Sequence, residues 1–185
     1  MHRRQFNQSA VAAALTSLLS LTPFDAVARM DRATIERVQA QWRRFIVAGA
    51  QIAESTAAVE LSNTAWREQV GNAAYHILFK EGTEPPFSSH LNDEKRDGLF
   101  VCAACRLPLF TSEMKYDSKT GWPSFFTRIP DHIATKRDFK LLLPRTEYHC
   151  VKCGGHQGHV FKDGPAPTHE RWCNNGLALR FLART

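Results

Sequence analysis

The chain lacks the features that would mark a nucleic-acid binder, a repeat protein or an integral membrane protein. Its 24 Lys and Arg against 18 Asp and Glu leave a net charge of +6. The basic residues are scattered, however, and no basic stripe with interleaved aromatics is present to track a phosphate backbone. Nucleic acid is therefore not expected as a partner. No internal repeat or low-complexity tract occurs. After residue 28 no apolar run is long enough to be a candidate membrane span. Cysteine is scarce and odd in number, with five in 185 residues, so the cysteines cannot all be paired with one another. Four fall into two Cys-x-x-Cys pairs and one stands alone, which suggests a four-thiolate site plus one free thiol. The length and a hydrophobic content of 43 % suit one globular domain with extensions.

The first residues read as an export signal. His2, Arg3 and Arg4 precede the apolar run Ala10–Leu21, and Ala26-Val-Ala28 forms a small-x-small cleavage site. Arg3-Arg4-Gln5-Phe6 resembles the twin-arginine signal of proteins exported folded. Residues 1–28 are therefore expected to be a signal peptide, and the mature chain to be periplasmic with no stable membrane association. A short anchor or a buried helix is the alternative.

Residues 29–63 are expected to form a helical N-terminal extension, because Ile35, Val38, Trp42, Phe45, Ile46 and Ile52 recur at near-helical spacing. A further helical stretch runs from Trp66 to Phe79 and is broken by Gly82-Thr-Glu-Pro-Pro-Phe-Ser88, since proline cannot continue a helix. Residues 89–98 are polar and turn-prone, and a surface loop is expected there. From Leu99 the texture changes to short apolar runs between turns. Leu99–Cys102, Leu107–Phe110, Phe139–Leu143, Tyr148–Val151, His159–Phe161 and Leu177–Leu182 read as strands. Their spacing suits antiparallel sheets rather than alternating strands and helices.

Cys102-Ala-Ala-Cys105 and Cys150-Val-Lys-Cys153 have 44 residues between them. Each pair follows a strand-like run and can sit on a tight knuckle that turns both sulfurs to one point. Two facing knuckles give the tetrahedral thiolate shell that suits zinc, and a complete shell leaves no open position, so the metal would be structural. It would hold two halves of the sheet together. Two disulfides, or redox-active pairs, remain alternatives, since an exported protein permits disulfides.

The lone thiol, Cys173, lies in Glu170-Arg-Trp-Cys-Asn-Asn-Gly. On a strand, Arg171 and Asn175 would share its face. A neighbouring guanidinium favours the thiolate, which is the nucleophilic form. A buried structural cysteine is the plainer reading. His156 and His159 follow directly on the second knuckle and supply groups that exchange protons near neutral pH. Gly121-Trp-Pro-Ser-Phe125 adds an aromatic wall held beside a proline, and a tryptophan face suits a methyl group or sulfur. Taken alone, Trp122 would be an ordinary core residue.

Together these segments resemble the methionine-R-sulfoxide reductases of the B type. The resemblance is carried by the two Cys-x-x-Cys pairs, Gly82–Ser88, Lys115-Tyr-Asp-Ser118, Gly121–Phe125 and His156-x-Gly-His159-Val-Phe. Asp163-Gly-Pro165 and Arg171-x-Cys173-x-Asn175 complete it. It covers about residues 64–182, and residues 64–185 are expected to be the reductase domain. Many spaced motifs in one order are more specific than any single motif.

The resemblance implies a mainly β fold of two antiparallel sheets (a β-tent) with N-terminal helices. It implies Cys173 as nucleophile, His156 and His159 as the groups that orient substrate and protonate its oxygen, and Arg171 and Asn175 as supports. Trp122, Phe125 and Asp163 would bind substrate. The substrate would be methionine R-sulfoxide, free or in oxidised proteins. Cys173 would become a sulfenic acid. A monomer is expected.

Two departures from the family pattern stand out. Thr120 occupies the place where many members carry a resolving cysteine, so an external thiol, from a thioredoxin-like or other reductant, is expected to reduce Cys173. Gly176-Leu-Ala replaces a common Ser-Ala-Ser, which predicts a looser floor to the site. The competing reading is a catalytically inactive zinc-binding module of the same fold that keeps only its four-cysteine site, but such a module has no use for Cys173, His156 and His159 together.

Overall fold

The structure, a computed structural model, describes residues 31–140 and 143–184. The expected export signal lies outside these residues. Among them no helix is long and apolar enough to cross a membrane.

The architecture is mainly β, as expected. Among the described residues three helices, α1 (Arg32–Ala40), α2 (Asn63–Val70) and α3 (Asn72–Lys80), precede nine strands. Strands β1 (Gly98–Cys102), β2 (Pro108–Thr111) and β9 (Leu179–Ala183) form an antiparallel sheet in the order β2-β1-β9. The second sheet joins β3 (Lys115–Tyr116), β4 (Ser124–Phe125), β5 (Ile133–Asp138), β6 (Arg145–Cys150), β7 (His156–Phe161) and β8 (Arg171–Asn174). Its order is β3-β4-β8-β7-β6-β5, and every pairing is antiparallel.

Aromatic side chains fill the space between the sheets. Phe110 stacks on Phe125 with ring centroids 3.9 Å apart, Phe100 meets Phe125 edge-on, and Tyr148 meets Trp172 edge-on. Burying each such side chain stabilises the fold by roughly 1.5–3 kcal/mol. On α3, Ala74, Tyr75, Ile77 and Leu78 are buried.

Three expectations change. The helix predicted through Ile52 stops at Ala40 and gives way to a short 3-10 turn, Trp42–Phe45. Ile35, Val38, Trp42 and Phe45 are buried, as the periodicity implied, but Ile46 is exposed. The following residues run without regular structure past both cysteine knuckles. Ala53 N–H donates to the Arg106 carbonyl at 3.1 Å and Val59 N–H to the Lys152 carbonyl at 2.8 Å.

The stretch from Trp66 to Phe79 is two helices rather than one, because Gly71 adopts φ +81° between them. The strand expected at Phe139–Leu143 is displaced to Ile133–Asp138. Phe139 and Leu143 are exposed beyond its end, and residues 141–142 lie outside the described residues. The strand ends because Asp138 accepts the Lys140 N–H at 2.9 Å and the Arg145 guanidinium at 2.7 Å. A search for apolar runs overlooks this strand because it is a sheet edge carrying Lys136 and Arg137.

Candidate active site and metal clasp

The two knuckles share one local plan. Cys102 and Cys150 close β1 and β6, and their N–H groups donate to the carbonyls of Leu107 and Gly155. Four residues on, Arg106 N–H returns to Cys102 O and Gly154 N–H to Cys150 O. Both returning residues have positive φ, +61° for Arg106 and +70° for Gly154, which is why glycine serves at the second turn.

All four sulfurs lie within 4.8 Å of one another, and all four cysteines are free. The nearest contacts run across the knuckles, Cys102 to Cys153 at 3.6 Å and Cys105 to Cys150 at 3.4 Å. A tetrahedron of thiolates around a metal at about 2.3 Å has edges of about 3.8 Å. The set therefore has the spacing to hold a metal ion. Thiols so close in a dry interior cannot all ionise unaided. Contacts with the other three sulfurs, and then burial, push the Cys102 thiol up, while the same contacts hold Cys105 down.

Cys173 lies at the centre of the larger sheet. Its Cα partners are Ser124 on β4 and His159 on β7. It lines a cavity of about 120 Å³ with Thr83, Trp122, Arg145, His159, Phe161 and Asn175 among its neighbours. Burial pushes the Cys173 thiol up. The Arg171 charge and a bond from the Thr120 hydroxyl oppose that shift without cancelling it. Arg171 thus favours the thiolate, as its spacing predicted, but less than burial disfavours it. Part of its charge is spent on Asp163, which it grips through two bonds of 2.8 and 2.9 Å.

His159 Nε2 is 2.7 Å from Asp138 Oδ2. The Lys140 N–H, His159 and Arg145 hold the Asp138 carboxyl well below the usual range, and burial lowers the His159 pKa. A neutral His159 that donates Nε2–H to a carboxylate leaves Nδ1 to exchange protons with the pocket. His156 sits behind it, with ring centroids 5.4 Å apart. It is 2 % exposed and bonded through Nδ1 to Glu147 at 2.7 Å, while its Nε2 has no partner. Burial pushes Glu147 up, but bonds from His149 and His156 prevail and bring it to about 2.

The remaining expected site residues fall in different places. Trp122 walls the cavity, and its indole N–H donates to the Glu84 carbonyl at 3.1 Å. Asn175 lines the cavity, but its amide is engaged with backbone: Oδ1 accepts Glu84 N–H and Nδ2 donates to Gln157 O. Phe125 does not reach the cavity. It is fully buried on Phe110, because on β4 Ser124 faces the Cys173 side and its neighbour faces the core. Asp163 is also outside the cavity lining and serves Arg171. The floor is not loose. A Cβ at Gly176 would fall 2.0 Å from Ser89 Oγ, and Gly176 N–H bonds Glu84 at 2.5 Å.

Sequence reasoning missed several residues that build the site. Asp138 and Arg145 are hidden by the misplaced strand. Glu84 lies inside a motif that stands out only as a whole, yet it ties Trp122, Asn175 and the turn at Gly176–Ala178 together. Gln157, fully buried, donates to Cys102 Sγ at 3.5 Å, accepts from Asn174 at 3.4 Å and receives both Asn175 donors on its carbonyl. It links the metal clasp to the strand that carries Cys173.

Fold and site together describe a two-sheet β protein with a thiol pocket beside a four-cysteine clasp. The SelR domain family matches residues 70–183, and the chain belongs to it. Among its relatives, a peptide methionine sulfoxide reductase MsrB of Methanosarcina barkeri is 46 % identical over 125 residues, which is 67 % of this chain and 88 % of that protein. One from Agrobacterium fabrum is 46 % identical over 124 residues, covering 66 % of this chain and 92 % of its own. One from Alteromonas mediterranea is 44 % identical over 117 residues, covering 63 % and 82 %.

Proposed function

We propose that the chain reduces methionine R-sulfoxide to methionine, with Cys173 as nucleophile. The observation that carries this reading is the pairing of Cys173 with His159 across β7 and β8, in a cavity walled by Trp122. It is joined to family membership.

The substrate methyl packs on the Trp122 face, and its sulfur meets Cys173. His159 Nδ1 accepts the thiol proton and delivers it to the sulfoxide oxygen as the thiolate attacks sulfur. The net step moves one oxygen from the substrate sulfur to the Cys173 sulfur. Methionine sulfoxide is reduced by two electrons and the thiol is oxidised to a sulfenic acid. Thr120, which helps to hold the Cys173 pKa down, takes the place of a resolving cysteine and cannot act as one. An external thiol therefore condenses with the sulfenic acid, releasing water. A second thiol then frees Cys173 as a disulfide leaves. Cys102, Cys105, Cys150 and Cys153 would hold a zinc ion, and four thiolate ligands would give it a structural role. The chain acts after export, as a periplasmic monomer.

The test supplies the R- and S-sulfoxides of a blocked methionine with dithiothreitol to the protein and to a Cys173→Ser variant. Turnover of the R epimer alone, abolished by the substitution, is expected. Turnover of the S epimer only, or turnover that survives the substitution, would overturn the assignment.

A further inference from the structure

The four-cysteine clasp has two half-covered corners, and one run of chain passes both. Cys102 and Cys150 are fully buried, whereas Cys105 and Cys153, the second member of each pair, are only partly so. The run is residues 46–62, which have neither helix nor strand. Connections without regular structure that exceed about 12–15 residues are uncommon in a compact domain unless they serve a purpose of their own. Beside each half-covered cysteine this run makes a main-chain bond. Ala53 N–H donates to the carbonyl of Arg106, next to Cys105, at 3.1 Å, and Val59 N–H donates to the carbonyl of Lys152, next to Cys153, at 2.8 Å. The Lys152 ammonium returns to the Ala57 carbonyl at 2.9 Å. Ile52, Ala53 and Val59 pack their side chains on the main core.

Both ends of the run are fastened near the clasp as well. Ahead of it, Trp42 meets the His132 ring edge-on with centroids 5.2 Å apart, and the His132 carbonyl accepts the N–H of Val151, inside the second knuckle, at 3.2 Å. Behind it, Gln69 on α2 donates to the Ala104 carbonyl, inside the first knuckle, at 2.5 Å. Trp42, Ala53, Val59 and Gln69 all precede residue 70, where the family match begins, so these contacts are an addition to the matched domain. A sulfur can leave a bound metal only if its knuckle turns outward, and exchange by such local opening slows as more contacts must break. We infer that residues 42–69 are a strap that ties the two knuckles to each other and locks a metal into the clasp. The strap holds the carbonyls next to Cys105 and Cys153, so neither sulfur swings out until the strap has detached. The inference rests on the zinc reading of the clasp and is independent of the chemistry at Cys173.

The test loads the full-length protein with zinc and follows transfer of the zinc to an excess of a chromophoric chelator. Ala53→Pro and Val59→Pro each delete one N–H donor, because proline has none. Thr56→Pro, between them, breaks neither bond and is the control. Should a proline variant fail to fold, the double variant Ile52→Ala/Val59→Ala decides, since it keeps both N–H groups and removes only side-chain grip. Release should be roughly three- to tenfold faster from Ala53→Pro and from Val59→Pro, as expected for loss of one hydrogen bond. It should be several-fold faster from the double variant, while Thr56→Pro releases zinc as the parent does. The loaded variants should still melt cooperatively. Release at the parent rate from the strap variants, or equal acceleration by Thr56→Pro, would overturn the inference. So would acceleration confined to variants that no longer melt cooperatively, since that would be general unfolding. A parent protein that keeps no zinc after loading would instead defeat the zinc reading, and the strap with it.

Discussion

The metal clasp and the thiol pocket use the same side chain under different constraints. Four cysteines face one another where β1 and β6 end, with Cys102 and Cys150 fully buried and every sulfur within 4.8 Å of the rest. Cys173 lies mid-sheet beside a histidine, a hydroxyl and a guanidinium, at the edge of a small open cavity. A metal held by the clasp would have its shell filled by the four sulfurs. The Cys173 sulfur borders a cavity instead, and no second cysteine stands beside it. What separates the two is company rather than burial alone. A thiolate among thiolates requires a cation, whereas a thiol beside an imidazole and a guanidinium can be ionised when substrate arrives.

The sharpest way to break this comparison is to exchange the fates of single cysteines. Cys150→Ser removes one ligand of a structural site, and such sites contribute roughly 10–16 kcal/mol of apparent binding free energy in small zinc domains. The variant should lose its metal and fail to melt cooperatively in calorimetry. Cys173→Ser should keep the metal and melt within about 3 °C of the parent, since an isolated conservative change in a half-open pocket alters stability little. Comparable destabilisation of both would show that the two regions are not functionally separate.

Asp138→Ala comes next. It removes the acceptor that holds His159, and kcat should fall roughly a hundredfold, at the lower end of general acid–base effects, with metal content unchanged. An unaltered kcat would mean that the His159 ring is held by something else.

Gln157→Leu tests the link between the regions. It removes the N–H···S bond to Cys102 and the bond from Asn174, leaving a buried donor without its partner at a cost of about 1–3 kcal/mol. Faster metal release to a chelator is expected, together with a lower kcat at nearly constant KM. A change in only one of these would uncouple the clasp from the pocket.

The smallest effect concerns pH. Burial raises the Cys173 pKa and Arg171 lowers it. The neutral thiol therefore predominates near neutrality, and the thiolate grows in as pH rises through and beyond the ordinary thiol range. Alkylation of Cys173 by iodoacetamide should accelerate along that curve, and Arg171→Met should move its midpoint higher still. A midpoint moving down would show that Asp163, not Arg171, dominates the field at the sulfur.

The legible parts of this protein were those written in short stretches of chain. The two Cys-x-x-Cys knuckles, the aromatic wall at Trp122 and the turn-separated apolar runs each have a local physical meaning, so the mainly β fold and the cysteine cluster followed from them. Phe125 shows the limit. Its motif pointed to the pocket, but strand alternation sent its ring to the core and left Ser124 beside Cys173. Gly176 shows the same limit, since its lack of a side chain reads as slack until Ser89 and Glu84 are found pressed against it.

The sequence by itself determined which groups are present and which neighbours share a turn or a strand face, because those relations depend on spacing of a few residues. Only the tertiary structure decided that Asp138 holds His159 and that Gln157 joins the four-cysteine clasp to the strand that carries Cys173. Those contacts join residues 17 to 55 positions apart. They depend on how two sheets twist and pack, which no local pattern in the chain specifies.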